Sequence, residues 1–392
     1  MDREMKVNRR RKILIPYFLA GEGHILAARS IAYYVEKKKP EWETRLIEPA
    51  EEFRSEKLDK FYRQAWKKVL TLAAPAKFMS RFLGKFLDRK IDSLSKKAAE
   101  SALAQASNLI QDYRPDLIMA THWGCVHLFD GARKKEGYEV PLYYLRNELG
   151  GAYVYQDCGF DLLFVTSDEA EKDFIMLGVP EEKLRRINFL VRPQCIEEHL
   201  TKNEARKRLD IPLKALTIML TLGGEGVGFR HTSRFVDTYL RKARENSIKP
   251  CFLVITGRNN ELRLRLEKRY RKPEAIILGY RKDMHLLIAS ADIVAGKCGA
   301  IYSMEAAALH KPFIITFVGA PNEEANKKFI LNHGFGWYTP SPSKFEALID
   351  RIMKNPEVLE EKEKASSRIP LKSGAEEIAE AIVERLENPE EN

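Results

Sequence analysis

Short apolar runs alternate with amphipathic stretches along most of the chain, and this alternation constrains the fold more than any other feature. Ile13–Ile15, Leu117–Ala120, Leu162–Thr166, Thr217–Leu222, Phe252–Thr256, Ala275–Leu278, Asp292–Ala295 and Phe313–Phe317 read as buried strands. Ile25–Lys38, Ser167–Leu177, Arg230–Glu245 and Ile301–Leu309 carry helical periodicity between them. Buried strands interleaved with helices make parallel sheets covered on both faces. The pattern comes in two blocks, each opening on a strand and a glycine-rich turn, GEGH at 21–24 and GGEG at 223–226. Two Rossmann-like α/β domains facing each other across a cleft are expected, in residues 1–195 and 213–370. A charged connection joins them over about Arg192 to Pro212, and residues 371–392 form a terminal helix and acidic tail.

Of the 392 residues 44% are hydrophobic and 31% charged, enough for two cores and a solvated surface. The formal charge of +10 favours an anionic partner. Five scattered cysteines without a C-x-x-C pair fit neither a disulfide framework nor a zinc site, and suit a reducing cytosol. No apolar run approaches bilayer length. The basic start leading into Ile13–Ala20 mimics a signal peptide, but the run is short, contains Pro16 and flows into a glycine-rich turn, so it reads as a strand.

One segment, about 53–93, breaks the alternation. From Arg54 to Lys90 it holds eleven Lys or Arg against three Asp or Glu, a net +8. Its aromatic and aliphatic residues include Phe61, Tyr62 and Trp66, and Phe78, Phe82 and Phe86 recur every four residues. Lys77, Arg81, Lys85 and Arg89 repeat that spacing one position earlier. A basic amphipathic helix of this kind lies in the headgroup region of an anionic membrane, here expected to be the inner face of the cell membrane. No nucleic-acid module accompanies the charge. The bland reading is an amphipathic helix packed on its own domain.

Gly21 and Gly23 sit between a strand and a helix, where free N–H groups favour an anion. Two glycines also suit an ordinary tight turn. His24, at the same turn, is a candidate proton acceptor or an ordinary capping or surface histidine. The turn TLGGEGVGF places Gly223, Gly224, Glu225 and Gly226 after a strand and suits phosphate, but lacks the Walker lysine. In IVAGKCGAIYSMEAAAL, Lys297 and the backbone after Gly299 suit a diphosphate, and Glu305 the two hydroxyls of a ribose. PNEEAN then offers amide and carboxylate groups to a sugar.

These segments resemble the lipid-glycosylating GT-B transferases: monogalactosyldiacylglycerol synthases, processive diacylglycerol glucosyltransferases and, more distantly, the peptidoglycan-precursor N-acetylglucosaminyltransferase. GYRKDMHLLIASADIVAGKCGAIYSMEA and APNEEAN match the group's donor half in spacing, FLAGEGHILAARSIA its Gly-His turn, and RPDLIMATHW its middle motif. The resemblance implies a uracil pocket walled by Tyr280 and a diphosphate met by Lys297, Gly299 and the Gly223–Gly226 turn. It places Glu305 on the ribose, Glu323 and Asn326 on the sugar, and His24 as the acceptor-site base, with Gly23 and His122 beside it. Asn322, Ala300 and Pro321 depart from the group's glutamine and two glycines. The implied reaction is an inverting transfer of a hexose from a UDP-sugar to a diacylglycerol-type lipid. With no D-x-D motif, no metal or other cofactor is required. A UDP-sugar 2-epimerase of the same fold, needing no lipid, and a non-catalytic nucleotide-sugar or lipid-binding protein are the alternatives.

Overall fold

The computed structural model describes residues 10–64, 93–150, 159–226, 231–319, 323–369 and 372–388. Six strands, β1 (Lys12–Pro16), β2 (Glu43–Ile47), β3 (Leu117–Ala120), β4 (Leu142–Arg146), β5 (Leu162–Val165) and β6 (Leu184–Arg186), form one sheet in the order β2-β1-β3-β4-β5-β6. A second sheet joins β7 (Leu216–Thr221), β8 (Pro250–Ile255), β9 (Ala275–Leu278), β10 (Ile293–Lys297), β11 (Phe313–Phe317) and β12 (Gly336–Tyr338) in the order β12-β11-β10-β7-β8-β9. Every pairing in both sheets is parallel. One compact unit runs up to Leu190 and takes back the chain from Ser373; the other runs from Val191 to Lys372.

The apolar runs are continuous because both faces of each sheet are buried. In the first sheet Leu14, Ile118, Tyr144 and Leu163 enter one core, while Ile13, Met119, Tyr143 and Phe164 enter the other. In the second, Ile218, Phe252, Val254 and Ile314 face one core and Met219, Leu253, Val294 and Phe313 the opposite one. Successive strand residues point to opposite faces, so the central strands are mostly apolar along their length. Each fully buried Leu or Phe stabilises its unit by about 1.5–3 kcal/mol.

The C-terminal helix (Gly374–Glu387), expected as a terminal segment, completes the first unit. Its Ala375, Ile378, Ala379 and Ile382 share a core with Ala27, Ala28, Ile31 and Val35 of the Glu22–Lys38 helix. The stretch read as a charged connection packs onto the second unit instead. Arg206, 2% exposed, donates to the Ser290 and Leu213 carbonyls and to Asp292. Asp292 also accepts from the Thr217 backbone and from Lys202. A buried guanidinium so fully paired is a structural pin.

The start of the basic segment corrects the membrane reading of two residues. Leu58 and Tyr62 are buried in the first unit's core, and Phe61 packs against it. Tyr62 stacks on Phe18 at 3.9 Å, and its hydroxyl lies 2.6 Å from that of Ser95. Phe61 and Tyr62 thus hold the segment to the domain rather than face lipid. Lys77, Phe78, Arg81, Phe82, Lys85, Phe86 and Arg89 lie outside the described residues. Among the described residues no helix is long and apolar enough to cross a membrane.

Candidate functional site

Strand order reverses between β1 and β3 in the first sheet and between β7 and β10 in the second. Ligands of open α/β sheets bind outside the carboxyl ends of strands at such reversals. The four segments flagged in the sequence fall there: 21–24 after β1, Thr121–His122 after β3, 223–226 after β7, and Lys297 at the end of β10 with 298–300 after it.

In the first unit, Gly21 (φ 98°) turns the chain out of β1 and His24 enters the first turn of the Glu22–Lys38 helix. His24 Nδ1 lies 2.5 Å from the Thr121 carbonyl, and the Thr121 hydroxyl donates to the His24 carbonyl at 3.1 Å. A carbonyl only accepts, so Nδ1 carries the proton and Nε2 presents its lone pair. Burial lowers the His24 pKa below 6.5, with Glu148 opposing it, so the ring is neutral at pH 7. Gly23 faces Asn147, whose Nδ2 lies 4.0 Å from where a Cβ would stand.

His122 is 3% exposed and caps the Trp123–Glu136 helix, its Nδ1 accepting from the Gly124 N–H at 3.0 Å. That acceptance fixes the opposite tautomer, with the proton on Nε2. Its ring stacks on Trp123 and meets His24 edge-on at 4.6 Å between centroids. Burial, then the neighbouring His24, holds its pKa well below 6.5. The unfolded chain binds protons that the native His122 refuses, so its stabilisation is complete above about pH 6.5 and is lost on acidification. One such proton gives a slope of about 1.4 kcal/mol per pH unit. Melting temperatures should therefore fall below pH 6.5, and less steeply in His122→Asn, which retains a capping acceptor. Parallel pH profiles for the two proteins would remove His122 from the acid response.

In the second unit, the Gly223–Gly226 turn holds Gly223 (φ 76°) and Gly226 (φ 67°) in conformations that only glycine adopts readily. The Gly226 N–H donates to the Gly223 carbonyl at 3.1 Å. Loop 256–259, which the sequence analysis did not single out, braces this turn. The Arg258 N–H donates to the Gly224 carbonyl at 2.8 Å, and Asn259 donates to the Gly226 carbonyl at 3.3 Å. Arg258 also pairs with Glu225 at 3.1 Å and lies 4.4 Å over the ring of Tyr280.

After β10, Gly299 caps the Ala300–Ala308 helix without a side-chain hydrogen bond, and a Cβ there would meet nothing within 4 Å. The helix N-terminus is thus open to an anion. Lys297 pairs with Glu323, whose other oxygen accepts from the Gly319 N–H at 2.6 Å. Residues assigned separately to diphosphate and sugar are therefore partners here. Asn326 donates to the Cys298 carbonyl at 2.9 Å, and its buried Oδ1 has no partner among the described residues. Glu305 is 1% exposed and pairs with Arg192, a contact invisible in sequence because 113 positions separate the two. Asn322 lies outside the described residues.

Two family models match the chain in order: monogalactosyldiacylglycerol (MGDG) synthase over residues 24–187, and the glycosyltransferase family 28 C-terminal domain over residues 217–382. Monogalactosyldiacylglycerol synthase 3, chloroplastic, of Arabidopsis thaliana is 25% identical over 255 residues, covering 64% of this chain and 55% of that protein. The processive diacylglycerol beta-glucosyltransferase of Staphylococcus carnosus is 25% identical over 197 residues, covering 50% and 49%. The chain spans about half the length of the curated relatives it matches. Among solved structures, spinosyn rhamnosyltransferase SpnG complexed with thymidine diphosphate superposes with a TM-score of 0.62 at 12% identity, covering 96% of this chain and 100% of that one. UDP-GlcNAc 2-epimerase from Neisseria meningitidis bound to UDP-GlcNAc gives 0.58 at 12%, covering 96% and 100%. Such identities carry the fold alone, and the two-domain Rossmann-like architecture agrees with them. In fold the chain is similar to GT-B proteins, and its two parts match, in order, the models of monogalactosyldiacylglycerol synthase and of the family 28 C-terminal domain.

Proposed function

We propose that this protein transfers a hexose from a UDP-sugar to a diacylglycerol-type lipid, inverting the anomeric carbon, at the inner face of the cell membrane. The observation that carries the reading is the His24 tautomer: Nδ1–H committed to Thr121 leaves Nε2 as a neutral acceptor at a strand-order reversal. The lipid hydroxyl gives its proton to Nε2 while its oxygen attacks the anomeric carbon, and the bond to UDP breaks on the opposite side. Lys297 and the N–H groups that open the Ala300–Ala308 helix meet the charge on the departing diphosphate, and the reaction so written needs no resident cofactor. Glu305 takes the ribose, Tyr280 the uracil, and Asn322, Glu323 and Asn326 the sugar. His122 holds the His24 ring rather than taking the proton. The relatives named for diacylglycerol support the acceptor, and the matched family 28 domain supports the transferase.

The likeness to a 2-epimerase favours a second reading, in which UDP-sugar reacts without lipid. Incubating the protein with UDP-glucose, UDP-galactose or UDP-N-acetylglucosamine and diacylglycerol in anionic liposomes, then weighing the products, separates the two. A glycosylated lipid with release of UDP is expected; an isomerised nucleotide sugar formed equally without lipid would replace the transferase reading. The liposomes should also sediment with the protein, more at high anionic content and less in salt. Equal sedimentation after changing Lys77, Arg81, Lys85 and Arg89 to Gln would remove the basic helix from membrane docking.

A further inference from the structure

We infer that Arg192 is the positioning residue of the donor site, holding Glu305 ionised and aimed so that the carboxylate can accept both ribose hydroxyls. The inference rests on the proposed role of Glu305 and adds what makes that role possible. Glu305 lies in the middle of the Ala300–Ala308 helix and is 1% exposed. A carboxyl so placed gives up its proton only if a neighbour replaces the lost hydration. Arg192 does so with two groups at once. Its backbone N–H donates to Oε1 at 3.3 Å and its guanidinium pairs with Oε2. Each oxygen thus receives one donor. A carboxylate has about four lone-pair sites, so one remains on each oxygen, enough for the two hydroxyls of a ribose.

Local sequence prepares the contact. Pro193 follows Arg192 and excludes the helical region for it, and Arg192 sits at φ −58°, ψ 138° as the cap of the Pro193–Glu197 helix. Its N–H is therefore outside the helical ladder and free to face Glu305. The side chain is itself mostly buried, 13% exposed, which keeps the pair out of bulk water.

The other titratable groups around the pair cannot substitute for Arg192. Cys195 and Tyr302 are buried near Glu305, and burial holds both in their neutral forms at pH 7. His285, nearer to Arg192, is kept below its usual range by burial and faces Glu198 at 3.6 Å. Arg192 is thus the group that opposes the upward push of burial on the Glu305 carboxyl. Without it the carboxyl should keep its proton to higher pH, turn from acceptor to donor, and lose the ribose.

The test is calorimetry of UDP with the full chain over about pH 5.5 to 8.5, spanning the range into which a desolvated carboxyl moves. The set is the parent, Arg192→Met, Arg192→Gln, Arg192→Lys and Glu305→Gln. Arg192→Met and Arg192→Gln should each weaken UDP by about tenfold at pH 7, recovering as the pH rises. Arg192→Lys, which restores the charge, should regain most of the affinity. Glu305→Gln should bind weakly at every pH, and adding Arg192→Met to it should cost nothing more. A purely structural role would lower melting temperature without moving the pH dependence. Parent-like affinity and a flat pH profile in Arg192→Gln would overturn the inference, and because Gln keeps a polar group there, that variant decides if Arg192→Met does not fold. Parent-like UDP binding by Glu305→Gln, or equal binding of UDP and 2′,3′-dideoxy-UDP by the parent, would instead remove Glu305 from the ribose and overturn the donor-site assignment itself.

Discussion

His24→Ala should lower turnover on the order of a hundredfold or more while UDP affinity stays within about twofold. The substitution removes the Nε2 lone pair that takes the acceptor proton, and that interaction matters only as the lipid oxygen attacks. UDP has no part in it, so donor binding and catalysis should separate. The acid limb of the rate should separate as well. With its pKa below 6.5, His24 works as a base at pH 7 and is silenced as protonation sets in at lower pH. The parent rate should therefore fall on the acid side, and the residual rate of His24→Ala should not follow that limb. Losing the hydrogen bond to Thr121 costs the fold about 1 kcal/mol, too little to account for the rate. Near-normal turnover of His24→Ala at saturating lipid would make His24 a turn residue that ties β1 to β3, and His122 the next group to test.

The three glycine-rich turns were legible because a strand-order reversal needs a chain reversal with room for a ligand, and glycines at 21–24, 223–226 and 296–299 announce it. Most central strands were legible because burial on both faces makes them largely apolar. Three strands that the apolar runs did not reveal, β2, β6 and β12, are edge strands. Bonded on one side only, they are short or polar: ETRLI, LRR and GWY. The fourth, β4, is central, but LYYLR ends in a buried Arg146 and carries two tyrosines, so it does not read as an aliphatic run. Distance along the chain hid the rest. Arg192 and Glu305 meet across 113 residues, and Lys297 and Glu323 across 26. Periodicity reports which face of an element is buried; it does not report which charge from another element arrives there. Phe61 and Tyr62 show the same limit, since an aromatic in a basic segment reads alike whether lipid or Phe18 covers it.

Gly257→Ala should weaken UDP by about tenfold to a hundredfold with little effect on the unit's fold, although residue 257 belongs to none of the sequence motifs. Gly257 has φ 59°, and a Cβ there would stand 2.3 Å from the Gly223 oxygen and 2.4 Å from the Gly224 oxygen. Both obstacles are backbone, so neither can rotate away as a side chain would. The hydrogen bond from the Arg258 N–H to the Gly224 carbonyl keeps the two loops together at 2.8 Å. Relieving the clash means breaking that bond or displacing the Gly223–Gly226 turn, and either alters the N–H groups proposed for the diphosphate. The φ strain alone costs only about 1–2 kcal/mol. A control isolates it: Gly137 has φ 71° at a helix end, and a Cβ there meets nothing within 4 Å. Gly137→Ala should show the same backbone strain in its melting temperature and bind UDP like the parent. The difference between the two variants then measures what the steric seam between 223–224 and 257 contributes to donor binding. If Gly257→Ala bound UDP as Gly137→Ala does, the turn after β7 would not be where the diphosphate sits, and the open N-terminus of the Ala300–Ala308 helix would have to carry that charge.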